Sequence, residues 1–142
     1  VERRILSLRG ILLLIILSLF ACTKGEPELI VKGAILIPSP KMKGVASSFM
    51  FIINEGNGGD KLLGCSIKEY PTVRGELHDV VKGKMKRVNE IPIPPGQTTA
   101  LKAGGLHLMF FGMPDSLPEE VTVLLRFEKS GTIEVKTQVG TL

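Results

Sequence analysis

Tryptophan is missing from this 142-residue sequence, and the side chains that most often build active sites and crosslinks are scarce: two cysteines, two histidines and one tyrosine. Cys22 and Cys65 are too few for a disulfide framework, and no cysteine pair stands at zinc-site spacing. With no tryptophan and no internal cysteine pair, an antibody-type domain is excluded. Two histidines leave a Ser–His–Asp triad few candidates, and the G-x-S-x-G, H-E-x-x-H and glycine-rich phosphate-loop motifs are all absent. The acidic residues are scattered, mostly through turns, and read as a solvated surface. The chain therefore reads as a protein that is not an enzyme. One-sided charge is missing as well. The formal net charge is +4, but three arginines and one glutamate fall within residues 1–21, and the remainder carries 15 basic and 13 acidic residues. No basic helix or aromatic ladder accompanies that balance, so no nucleic-acid partner is expected.

What is present begins with a targeting pattern. Arg3, Arg4 and Arg9 make a basic start, and Ile11 to Phe20 is an apolar run broken only by Ser18. Such a run is too short to span a bilayer and is typical of an export signal. It closes on Leu19-Phe20-Ala21-Cys22, which resembles a bacterial lipobox, where the cysteine is lipidated and becomes the new N-terminus. The expectation is a lipoprotein-type signal peptide over 1–21, an anchor cysteine and linker over 22–28, and a domain over 29–142. Lipid on Cys22 would tether that domain to a membrane face in the periplasm or another extracytoplasmic space. An ordinary cleaved signal, or an uncleaved N-terminal anchor, is the alternative. Cys65, in the apolar run "KLLGCSI", reads as a small buried hydrophobe.

The rest of the chain breaks into short apolar runs separated by Gly, Pro, Asn and Asp. Strands are predicted over 29–38, 46–54, 62–67, 73–80, 85–93, 98–101, 106–112, 121–128 and 132–139, the last two joined by the hairpin signal "KSG". No amphipathic helix is evident. Eight or nine short strands at close spacing imply an all-β sandwich or barrel.

Both histidines keep company with methionine. His107 and Met109, in "LHLM", share a strand face by the two-residue period. His78 and Met85 flank the tight segment "DVVKGK", so a hairpin would bring them together. Two imidazoles and two thioethers then converge at one end of the sandwich. Neutral, soft thioether sulfur binds Mg²⁺, Ca²⁺ and Zn²⁺ poorly but suits Cu(I), and imidazole accepts the same ion. A set without thiolate holds Cu(I) yet lets another soft-ligand protein take it, which is the property of a carrier. Phe111 and Met113 fall on the same face by parity and would shield the ion.

These residues also carry a resemblance. His78, six residues, Met85, twenty-one residues and then His107-Leu108-Met109 resembles the signature of the PCu(A)C family of periplasmic copper chaperones, which is a histidine, about ten residues, a methionine, twenty-one residues and H-x-M. "GDKLLGCS", "IPIPPGQTTALKAGGLHLMFFGM" and "VTVLLRFEKSGTIEVKTQV" are similar to the surrounding family segments, and the likeness covers residues 30–140. It implies a cupredoxin-like β-sandwich and a metal set of His78, Met85, His107 and Met109. It also implies transfer of Cu(I) to a copper-accepting protein, either cytochrome c oxidase subunit II during CuA-site assembly or a Sco-type protein. The first interval departs from the family, being six residues instead of about ten. The register of that shorter hairpin decides whether Met85 shares the face of His78 or turns to the other. Three other readings stand beside the chaperone. One is an electron-transfer cupredoxin, which needs a cysteine thiolate. The others are a non-metal structural or adhesion lipoprotein, and a periplasmic copper buffer or resistance protein.

Overall fold

Alternating apolar and polar residues carry most of the chain into strands. The computed structural model describes residues 25–141 and contains ten strands and no helix among them. In chain order they are β1 (Leu29–Pro38), β2 (Val45–Asn54), β3 (Asp60–Ile67), β4 (Arg74–Val81), β5 (Lys84–Val88), β6 (Ile91–Ile93), β7 (Thr98–Leu101), β8 (His107–Phe111), β9 (Glu120–Phe127) and β10 (Gly131–Val139). The expected signal segment and Cys22 lie outside the described residues. The run expected as one strand over 85–93 is two, because its halves serve different neighbours: β5 pairs with β4, and β6 pairs with β3.

One hydrogen-bonded path runs β5-β4-β8-β2-β1-β10-β9-β3-β6, with β7 pairing the far half of β2. The path folds back on itself until β3 packs against β4, making a nearly closed, barrel-like sandwich. Gly75 permits that approach, since a Cβ there would stand 2.2 Å from the Cys65 carbonyl oxygen. Between the halves lie Leu36, Met50, Ile52, Leu62, Leu77, Leu108, Phe110, Val123 and Leu125, all buried. Strand β2 shows the period of two plainly: Ala46, Ser48, Met50, Ile52 and Asn54 are buried, and their neighbours are more exposed. Burying each larger apolar side chain contributes roughly 1.5–3 kcal/mol.

Two buried polar residues organise the loops. Asn54 Oδ1 accepts from the Glu28 and Gly56 N–H groups at 3.1 and 3.0 Å, and its Nδ2 donates to the Gly58 carbonyl at 2.9 Å. The neighbouring Asn57 side chain accepts from the Glu26 N–H at 3.0 Å. Residues 25–28, the described part of the expected linker, are thus fastened along the 54–58 loop, and a Cβ at Gly56 or Gly58 would collide with them. Asp60, 6% exposed, ties the β9–β10 turn to β3. Its carboxylate accepts from the N–H groups of Lys61, Lys129 and Ser130 at 2.8, 2.8 and 2.9 Å, and from the Ser130 hydroxyl at 2.6 Å.

Candidate metal centre

Strand β8 lies between β4 and β2, with His78 opposite His107, Glu76 opposite Met109, and Ser47 on the far side of Met109. Leu108 and Phe110 point into the core, so parity turns His107, Met109 and Phe111 to the other face. That face is also shielded: His107 is 2% and Met109 3% exposed. The His78 and His107 rings stand 5.7 Å apart, the Phe49 ring is 6.2 Å from His107, and the Phe111 ring is 6.3 Å from His78. Met113 does not join them. Gly112, at φ 87°, turns the chain, and Met113 packs in the core.

The shortened hairpin keeps Met85 on the side of His78. Lys82 and Gly83, at φ 52° and 75°, form a two-residue turn, and the register places Met85 opposite Val80. Val80 is two residues from His78 and shares its face. Arg87, not Met85, lies directly opposite His78. Met85 therefore approaches on the diagonal and stays 59% exposed.

Hydrogen bonding leaves one nitrogen of each imidazole bare. The His107 Nδ1–H donates to the Gly105 carbonyl at 2.8 Å, which fixes the tautomer with a lone pair on Nε2. The His78 Nε2–H donates to Glu76 Oε2 at 2.8 Å, which leaves the lone pair on Nδ1. His107 Nε2 and His78 Nδ1 are both buried and have no partner. Two orphaned acceptors side by side are costly unless something electrophilic meets them. Glu76, whose side chain is 10% exposed, is paired with Arg74 at 3.2 Å and Arg87 at 3.9 Å. The His78 hydrogen bond and the two guanidinium charges hold its carboxyl below the usual range against the effect of burial.

Beside the rings is an apolar pocket of about 210 Å³, lined by Ile37, Phe49 and Ala103 and by three methionines, Met42, Met85 and Met109. Neither imidazole lines it, and Met109 joins the histidine pair to the pocket. A wider groove of about 600 Å³ runs between the β1–β2 loop and residues 113–119, but no histidine lines it. Among the described residues no three His, Cys, Asp or Glu side chains gather as a metal site. Thioethers line the pocket beside the imidazoles, and sulfur favours a soft ion. Cys65 is on β3, away from this face. Burial, with the Glu76 charge behind it, pushes its thiol up to about 12.

Sequence reasoning named His78, Met85, His107 and Met109, and the fold gathers all four on one face. Glu76, Met42 and Phe49, which that reasoning did not name, also border this face or its pocket. Glu76 was detectable, since it stands two residues before His78 in a strand. Met42 lies in a loop whose path no periodicity reveals.

A family model described as LpqE-like matches residues 29–139. No curated protein matches the chain. Among solved structures, the chain is similar to the copper-bound PCuAC domain from PmoF2, with TM-score 0.67, 18% identity and coverage of 82% of this chain and 99% of that one. The apo PCuAC domain from PmoF1 gives TM-score 0.69 at 21% identity over 82% and 100%. The solution structure of CuI-DR1885 from Deinococcus radiodurans gives 0.64 at 23% over 84% and 82%. At these identities the likeness establishes a shared fold.

Proposed function

The chain belongs to the LpqE-like family, and from that premise we propose that it is an exported copper chaperone, binding one Cu(I) and passing it to an acceptor by ligand exchange. The observation that carries this reading is the pair of buried, unpartnered imidazole nitrogens next to a methionine-lined pocket. His107 Nε2, His78 Nδ1 and the Met109 sulfur form the inner set, with Met85 arriving from the rim. Two imidazoles and two thioethers leave Cu(I) its single positive charge and hold it without a thiolate. An acceptor offering thiolates then takes the ion downhill, one ligand at a time. The acceptor suggested by resemblance is cytochrome c oxidase subunit II or a Sco-type protein. Lipid on Cys22 would hold the carrier at the extracytoplasmic membrane face.

Anaerobic titration of the full chain in detergent, against a chromophoric Cu(I) chelator, tests the reading. One tight equivalent of Cu(I) and no comparable uptake of Zn²⁺ is the expected result; absence of Cu(I) binding sinks the proposal. Glu76 fixes which nitrogen of His78 is free, so Glu76→Ala is expected to weaken Cu(I) binding about tenfold to a hundredfold. Glu76→Gln, which still accepts from Nε2–H, should recover most of that loss in the same titration.

A further inference from the structure

We propose that Met42 is a further thioether of this site, alternating with Met85 as the outermost ligand of the ion. The inference rests on the copper reading above and adds a ligand to it. Three of the five methionines in the sequence line one apolar pocket. Met109 is its floor at 3% exposure, while Met42 and Met85 form its rim at 48% and 59%. The rim residues come from elements far apart in sequence, the β1–β2 loop and β5. Only the fold brings the two side chains to the same pocket.

The loop that carries Met42 is built to present it. The Ser39 hydroxyl oxygen accepts from the Lys41 and Met42 N–H groups at 3.3 and 3.1 Å, and the Val45 N–H donates to the Met42 carbonyl at 3.3 Å. The Gly44 carbonyl accepts from the N–H groups of Gly112 and Met113 at 2.9 and 3.0 Å, which pins the loop to the end of β8. Gly44 sits at φ 74°, where a side chain would strain the turn. Met42 is thus held over the same pocket that Met109 floors.

The inner donors His78, His107 and Met109 leave one place in a four-ligand shell, and two exposed thioethers border it. An ion bound by either passes to the other without entering water as a bare cation. The outermost position is also the one a partner's ligand must take first. A flexible thioether on each side of the mouth lets the ion be received or released from two directions.

The test is methyl NMR of the full chain in detergent micelles, labelled with [methyl-¹³C]methionine, before and after one equivalent of Cu(I) without oxygen. Met42, Met85 and Met109 are expected to shift, while the core residues Met50 and Met113 stay in place. Met42→Leu and Met85→Leu assign the two rim signals, and both variants should fold because both side chains are exposed. Each single variant is expected to lower Cu(I) affinity only about twofold, since one of two equivalent arrangements remains. The double variant should fall well beyond the product of the two, by at least about thirtyfold. A still Met42 signal beside shifting Met85 and Met109 signals overturns the proposal and leaves the copper reading intact. A still Met85 signal overturns the alternation. If no methionine shifts, the copper reading itself fails.

Discussion

His107→Ala is expected to lower Cu(I) affinity by at least about a thousandfold, equivalent to about 4 kcal/mol. The magnitude follows from how the ring is held. His107 Nδ1–H is committed to the Gly105 carbonyl at 2.8 Å, and β8 is walled by β4 and β2, so Nε2 is aimed before any ion arrives. A preorganised ligand spends little entropy on binding, and its loss is felt almost in full. No other imidazole substitutes, because the second histidine in the chain, His78, already belongs to the proposed set. The folded state should survive. The Gly105 carbonyl loses one neutral hydrogen bond, worth about 1 kcal/mol, and removing the orphaned Nε2 offsets part of that. Chelator competition with thermal melting alongside separates the two effects. An affinity within tenfold of the parent, in a protein that melts normally, would remove His107 from the site.

Asp60→Asn is expected to cost about 2–3 kcal/mol of stability and to leave copper binding unchanged. The carboxylate accepts four hydrogen bonds, two on each oxygen. An amide keeps one oxygen but turns an NH₂ toward the Ser130 N–H, donor against donor, and leaves that buried group unsatisfied. For a domain of this size the melting temperature should fall by about 10 °C. The acid limb should change too. Burial pushes the Asp60 carboxyl up, but the Ser130 side chain and the N–H groups of Lys129, Lys61 and Ser130 outweigh it, and the net direction is down. The stability it contributes is therefore complete above the ordinary aspartate range and is lost as pH falls through the lower folded value. Melts of the parent from neutral to strongly acid pH should show that loss, and the asparagine variant should show a flatter profile. Equal acid sensitivity in both would mean that Asp60 is not the group responsible.

How much of this was legible in the residues depends on the range over which each signal acts. Strand β2 was legible because each second residue from Ala46 to Asn54 faces the core, and a period of two survives in sequence. His107 and Met109 were legible for the same reason, as was their separation from Leu108 and Phe110. Met85 was not, because its face depended on the turn. Two residues with positive φ, Lys82 and Gly83, preserve the parity, and a turn one residue longer would have reversed it. Met113 was assigned by parity to the wrong side because Gly112 breaks the strand. The break between β5 and β6 was hidden because it reflects a change of partner strand, a long-range fact. Met42 was hidden for a similar reason: its position comes from Ser39, Gly44 and the end of β8 acting together.

The fastening of residues 25–28 along the 54–58 loop has a consequence for height and orientation. Strand β1 begins at that loop and ends at Ile37 and Pro38, beside the methionine pocket. Its ten residues put the two ends about 30 Å apart. Two residues separate Cys22 from Gly25, which allows about 10 Å of fully extended chain. If Cys22 is lipidated, as proposed, the domain is moored at its asparagine end, on a short leash. The methionine pocket then lies at the far end of β1 from the anchor, up to about 30 Å farther from the headgroups.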